Sequence, residues 1–235
     1  MKCSFGFCKG FIPSIICSRN DVEKIYNRKI RAIKHKEEKI QMVRCRYECV
    51  HVNSVWHGDI HYIKFQGEMR YIFVLMDDKS RYIVSYGMSK FKTTAFVISV
   101  FDEAIDYYEI TPLYYWSDNG RENTSKEMQL YLSNIGTKHI KTMPYNPQQN
   151  GKIERWWPEL EKRLSNSLSW EDLYDRVDDF VHVYNNKLPH SSLSYNGRMC
   201  APIKIFSDEK LQAKDIKDEL IIVDGKEILL SKFEK

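Results

Sequence analysis

From Ser54 onward the apolar and polar positions read as a succession of strands and helices. Ser54–Phe65 has strand character, Gln66-Gly67-Glu68 turns the chain, and Arg70–Met76 carries the near-continuous apolar run Tyr71-Ile72-Phe73-Val74-Leu75. A short, near-continuous apolar run between turn signals marks a strand. Asp77-Asp78-Lys79-Ser80 then turns, and Tyr82–Met88 makes a third strand. Links this short predict an antiparallel three-strand meander. From Thr93 to Glu109 the spacing becomes helical, with Phe96, Val97, Val100, Phe101, Ala104, Ile105 and Tyr108 on one stripe.

Beyond that helix, Leu113–Trp116 is a short strand ending at Asp118-Asn119-Gly120, and Ser125–Leu132 is a short helix closed by Asn134 and Gly136. Lys138–Thr142 is a further strand. Met143–Gly151 is rich in turn residues and poor in apolar anchors, which predicts a mobile loop. Ile153–Leu168 and Trp170–Asn185 have helical spacing, and Leu220–Val223, Asp224-Gly225 and Glu227–Leu230 predict a hairpin with a tight turn. The order βββ-α-β-α-β-α-α predicts a mixed α/β domain with helices flanking a central sheet. Residues 1–50 form an arm, 51–206 the core and 207–235 a tail.

The 235 residues carry a formal charge of +4, unevenly spread: residues 1–50 hold a net +7 and the rest a net −3. In the arm, Val22, Ile25, Tyr26, Ile30 and Ile33 recur at helical spacing among Lys24, Arg28, Lys29, Arg31 and Lys34. Such a run is either a solvated helix face or a phosphate-contacting helix. Hydrophobic content of 43% excludes a disordered chain, and no apolar run reaches the ~18 residues of a membrane helix. Phe11–Cys17 is short, holds Pro13 and lacks a cleavage site, so no signal peptide is expected. Cys3, Cys8, Cys17, Cys45 and Cys49 fit no familiar zinc-finger spacing, so reduced structural thiols are expected rather than zinc.

Three acids stand where a structural acid is awkward. Asp59 lies inside the first strand beside Trp56, Ile60 and Ile63, Asp118 ends the fourth, and Glu154 begins a helix after the turn-rich loop. Carboxylates that converge away from water repel one another unless cations join them, and hard divalent ions prefer oxygen ligands. Each also has a plainer reading: an edge-strand acid, a turn residue, and an acid favoured by a helix start. Glu122 is a nearby rival to Asp118. Asp77 and Asp78 are assigned to their turn, and His57 and His61 to structural or nucleic-acid-proximal places on the strand face of Asp59.

The segments Val55-Trp56-His57-Gly58-Asp59-Ile60, Asp77-Asp78-Lys79-Ser80-Arg81, Ser117-Asp118-Asn119-Gly120 and Pro144-Tyr145-Asn146-Pro147-Gln148-Gln149-Asn150-Gly151-Lys152-Ile153-Glu154-Arg155 resemble the catalytic core of retroviral-type integrases and DDE transposases. Thirty-five residues separate Asp118 from Glu154, the spacing of the D,D-35-E group, and Tyr184–Leu193 resembles the segment closing insertion-sequence transposase cores. The resemblance implies an RNase H-like mixed sheet. It places Asp59, Asp118 and Glu154 in catalytic roles on two Mg²⁺ or Mn²⁺ ions, for hydrolysis at DNA ends and strand transfer into target DNA. It also implies DNA as partner, a homo-oligomer without a membrane role, and residence in a nucleus or, in a bacterium, with the nucleoid.

Lys152 and Arg155 would face the phosphate backbone, and the loop positions Tyr145, Asn146, Gln148 and Asn150 would close over DNA, with Lys29 and Lys34 adding contacts from the arm. Trp156 and Trp157 are expected in packing rather than base stacking. Two features depart from the pattern. Pro158 breaks the helix that Glu154 begins or starts a new segment, and the arm shows no recognisable DNA-reading module. A decayed or domesticated DNA binder is therefore the second reading, and a ribonuclease H-like nuclease the third.

Overall fold

The computed structural model describes residues 47–142, 151–164, 168–213, 216–223 and 226–233. Lys29, Lys34, Cys3, Cys8, Cys17, Cys45, the loop positions Tyr145, Asn146, Gln148 and Asn150, and the Asp224-Gly225 turn lie outside the described residues.

In chain order the elements are β1 (Tyr47–Cys49), β2 (Val55–Phe65), β3 (Glu68–Asp77), β4 (Ile83–Ser89), α1 (Thr94–Tyr108) and β5 (Tyr114–Ser117). There follow α2 (Arg121–Thr124), α3 (Lys126–Asn134), β6 (Lys138–Lys141), α4 (Gly151–Glu154), α5 (Trp157–Leu164) and α6 (Trp170–Asn186). The chain continues with β7 (His190–Tyr195), β8 (Arg198–Cys200), α7 (Pro202–Phe206), β9 (Leu220–Val223) and β10 (Lys226–Leu229). The helix starts follow from local chemistry. Thr93, Ser125 and Ser169 each accept a hydrogen bond from a backbone N–H of the first turn, so α1, α3 and α6 begin where a hydroxyl can satisfy an otherwise orphaned donor.

The central sheet has the order β4-β3-β2-β5-β6, with β2, β3 and β4 antiparallel and β5 and β6 parallel to β2. The predicted meander is therefore present, extended into a mixed five-stranded sheet. Strand β3 shows why its apolar run is unbroken. Phe73 and Leu75 enter the core with α1 and α3, through Val97, Val100, Phe101, Met128 and Leu132. Ile72, Val74 and Met76 enter the core on the opposite face with Ile153, Trp156, Trp157, Leu160, Val177 and Phe180. Helices thus cover both faces of the sheet, and at about 25 cal/mol per Å² of buried apolar surface this two-sided burial dominates the folding energy.

Several elements depart from the expectation. The helix predicted over Ile153–Leu168 is two helices, α4 and α5, interrupted at Arg155 and Trp156. Pro158 stands in the first turn of α5, where its missing N–H costs nothing. Strand β1 was not foreseen. It pairs antiparallel with β9, Tyr47 opposite Val223 and Cys49 opposite Ile221, and β10 completes that sheet. Tyr47, Cys49, Ile221, Val223 and Leu230 pack against Val55, Tyr114, Trp116 and Ile140 of the central sheet. The β7–β8 hairpin and α7 also lacked a signal. Among the described residues, no helix is long and apolar enough to cross a membrane.

Candidate active site

Strand alternation decides which face each acid occupies. In β2, Trp56 and Ile60 pack with α1, so Gly58 between them shares that face, and Asp59 points to the face that carries α4 and α5. Strands β2 and β5 pair in parallel from Val55 opposite Tyr114 to Gly58 opposite Ser117. Asp59 and Asp118 are the next residue on each strand. Strand order and register thus bring together two acids 59 positions apart.

Both acids are held by short-range contacts. The Ile60 N–H donates to Asp59 Oδ1 at 3.0 Å, and the Trp157 indole N–H donates to Asp59 Oδ2 at 2.8 Å. Asp118 Oδ1 accepts from the Gly120 N–H at 2.9 Å and from the Asn123 amide at 2.8 Å, while the Tyr115 hydroxyl donates to Asn123 Oδ1 at 2.8 Å. Gly58 lets the Tyr115 ring pass beneath β2, since a Cβ there would stand 2.5 Å from a ring carbon. Asp59 Oδ1 and Oδ2 each accept one of these bonds and keep a lone pair, whereas Asp118 Oδ1 accepts two and Oδ2 takes none of them.

Glu154 closes α4 with its side chain exposed. Burial raises the Asp59 carboxyl above its ordinary range, the Trp157 hydrogen bond opposes this, and the negative charge of Asp118 adds to it. Burial likewise raises Glu154, with the charge of Asp59 adding to the effect. The charge of Asp118 thus acts on Asp59, and that of Asp59 on Glu154. Hard carboxylate oxygens so placed suit a divalent cation in chemistry and charge. Among the described residues no three acids, histidines or cysteines are already gathered into a coordination sphere.

The neighbouring candidates resolve differently. Glu122 is buried and paired with Lys92 at 2.9 Å. His61 Nε2 lies 2.7 Å from Glu161 and its ring stacks on Trp157. His57 is buried against Asp78, Nε2 to Oδ1 at 2.7 Å, and burial lowers its pKa, so the neutral ring donates to the carboxylate. Asp77 also turns inward, accepting from Asn53 N–H at 2.7 Å and Ser80 N–H at 2.8 Å. Trp156 and Trp157 are buried in the core, as their packing role requires.

Lys152 was expected at the phosphate backbone, and the structure corrects that placement. Its ammonium lies 2.7 Å from both Asp78 oxygens and 4.0 Å above the Tyr47 ring, with the side chain only 17% exposed. Burial alone would push the Asp78 carboxyl up, yet Lys152 and the His57 hydrogen bond hold it well below the usual range. A residue two places before an exposed acid gives no sequence signal of an inward turn. Arg155, by contrast, is exposed. Sequence reasoning also missed Tyr115, Asn123 and His139. His139 stacks on Tyr115, lies 2.9 Å from Ser117 Oγ and is pushed down to about 4, chiefly by burial.

Comparison with known proteins places this fold among integrase and transposase cores. The sequence matches the integrase core domain over residues 50–147 and a second integrase core domain family over residues 135–197. The transposase for insertion sequence element IS904 of Lactococcus lactis subsp. lactis (strain IL1403) is 28% identical over 177 residues, spanning 73% of this chain and 68% of that protein. The Gag-Pro-Pol polyprotein of Mason-Pfizer monkey virus is 35% identical over 104 residues, 44% of this chain and 6% of the polyprotein. The HTLV-2 integrase catalytic core domain, solved in complex with magnesium in a dimeric form, superposes with a TM-score of 0.54 at 22% identity, covering 67% of this chain and 98% of that one. Residues 50–197 of this chain thus carry the integrase core domain, the core of enzymes of DNA integration and transposition.

Proposed function

We propose that Asp59, Asp118 and Glu154 hold two Mg²⁺ or Mn²⁺ ions and carry out hydrolysis at DNA ends followed by strand transfer. The observation that carries this reading is the placement of Asp59 and Asp118 one residue beyond the Gly58–Ser117 pair, with Glu154 electrostatically coupled to Asp59. When bound, the ions supply charge neutralisation at the scissile phosphate and ease deprotonation of the attacking hydroxyl. The protein's share is positioning. Trp157 and Asn123 fix the carboxylates, and the helix-covered sheet supplies a rigid floor.

In the first step a water oxygen bonds to phosphorus while the P–O3′ bond breaks, and the released 3′ oxygen takes a proton. In the second, that 3′-hydroxyl attacks a target phosphodiester, one P–O bond replacing another with no net hydrolysis. Neither step forms a protein–DNA covalent bond. Arg155, exposed beside Glu154, faces the DNA backbone in this reading, together with Tyr145, Asn146, Gln148 and Asn150 of the loop and Lys29 and Lys34 of the arm. A second copy of the chain joins it on DNA, and the compartment is that of the host's DNA.

The test is nicking of an end-labelled duplex in Mg²⁺ or Mn²⁺ by wild type and Asp118→Asn. Metal-dependent nicking lost in the variant is the expected result. Binding of DNA by both proteins with nicking by neither would replace the enzyme with a DNA binder.

A further inference from the structure

We infer that Lys152 is a positioning residue for Glu154, acting through a buried ion pair with Asp78. The inference rests on the catalytic reading of Glu154. Helix α4 is a single turn of four residues, and one turn cannot hold itself, because nucleation fixes several dihedrals for one hydrogen bond. Its continuation into α5 is broken at Arg155 and Trp156. Glu154 therefore takes its place from the side chains that dock α4, which are Ile153 in the apolar core and Lys152.

The Lys152 contact is built as an anchor. Asp78 is fully buried and takes the ammonium on both oxygens at 2.7 Å. It is itself held by His57 Nε2 at 2.7 Å and by the Cys49 N–H at 3.3 Å, and Arg81 stands 3.8 Å away. Tyr47 lies beneath the ammonium, with its hydroxyl 3.0 Å from His57 Nε2. Tyr47 and Cys49 belong to β1, which pairs with β9, so the acid-bearing turn is tied to the sheet formed with the C-terminal hairpin. Residues two apart on a helix point about 200° from each other. Drawing Lys152 inward turns Glu154 outward.

Such a lysine differs from a phosphate contact in what its loss changes. Loss of a phosphate contact lowers duplex affinity and reduces the salt slope by about one, and such a contact tolerates arginine. A buried point charge seated on Asp78 does not tolerate the longer planar guanidinium. The full chain would be made as wild type, Lys152→Met, Lys152→Arg, Asp78→Asn and Glu154→Gln, each checked for folding by circular dichroism. Mn²⁺ binding is read by electron paramagnetic resonance, duplex affinity across a salt series, and nicking of the labelled duplex.

The expected result is Mn²⁺ affinity and nicking reduced tenfold or more in each Lys152 and Asp78 variant, with duplex affinity and salt slope unchanged. A reduced salt slope with wild-type Mn²⁺ affinity overturns the inference, as does a Lys152→Arg protein that behaves as wild type. Should Lys152→Met not fold, the arginine variant alone decides. Glu154→Gln separates the two readings. If it keeps wild-type Mn²⁺ affinity and nicking, the catalytic reading of Glu154 falls; if it loses both while the Lys152 variants lose neither, only the anchor falls.

Discussion

Asp59 and Asp118 are neighbours across two parallel strands, each standing one residue past the Gly58–Ser117 pair. Their proximity follows from strand order, because β5 inserts beside β2 after the chain has crossed over through α1. Two carboxylates so placed are poor company without a counter-ion, and Asp59 shows it in a raised pKa, caused first by burial with the charge of Asp118 adding to it.

That shift has a consequence for the metal-free protein. A carboxyl that binds its proton more tightly when folded stabilises the fold most fully below its unfolded pKa, and the contribution is lost as pH rises through the folded value. Asp59→Asn removes this loss. It is expected to abolish nicking while raising the neutral-pH melting temperature by about 2–5 °C, with a smaller gain at about pH 4. Thermal melts at the two pH values check this, and a variant that melts lower at neutral pH would contradict the sign.

Trp157→Phe keeps most of the buried ring and removes the donor to Asp59 Oδ2. Since that hydrogen bond lowers the Asp59 pKa, its loss raises it further. The acidic limb of the pH profile for metal-dependent nicking should move to higher pH, with the loss of rate greatest under acidic conditions. A uniform loss at every pH would mean that the indole acts through packing alone.

Gly58→Ala tests the close passage of Tyr115. The added methyl would meet the hydroxyl and a ring carbon 2.5 Å away, and the ring is held through Asn123. Overpacking of this kind costs about 1–3 kcal/mol. Urea unfolding should show that loss, and Tyr115→Phe should not restore it, because the ring carbon stays in place.

Asn185 stands 3% exposed on α6, donating to the Ile83 carbonyl and accepting from the Ile83 N–H, each at 2.9 Å. Its amide satisfies both backbone groups of the residue that begins β4. Asn185→Ala leaves two buried groups unpaired, for an expected loss of about 2–4 kcal/mol. Chemical denaturation with an unchanged midpoint would show that water replaces the amide.

The three meander strands and α1 were legible in the sequence because their signals are local: a turn chemistry and a period. The acids were picked out through motif order. The break after Glu154 was legible in Pro158, whose ring bars a continuous helix whatever surrounds it.

What the sequence by itself determined is the meander, α1 and the order and spacing of the acids that resemble the integrase cores. Tertiary structure alone decided which of the charged residues face the site and which are consumed inside. Lys152 and Arg155 look alike on paper, yet one is sealed against Asp78 and the other is exposed. The physical reason is that a charge is buried only where a partner from a distant segment repays its desolvation, and here Asp78 is 74 positions away. The same holds for β1, three residues whose strand state exists because β9 arrives to pair with them.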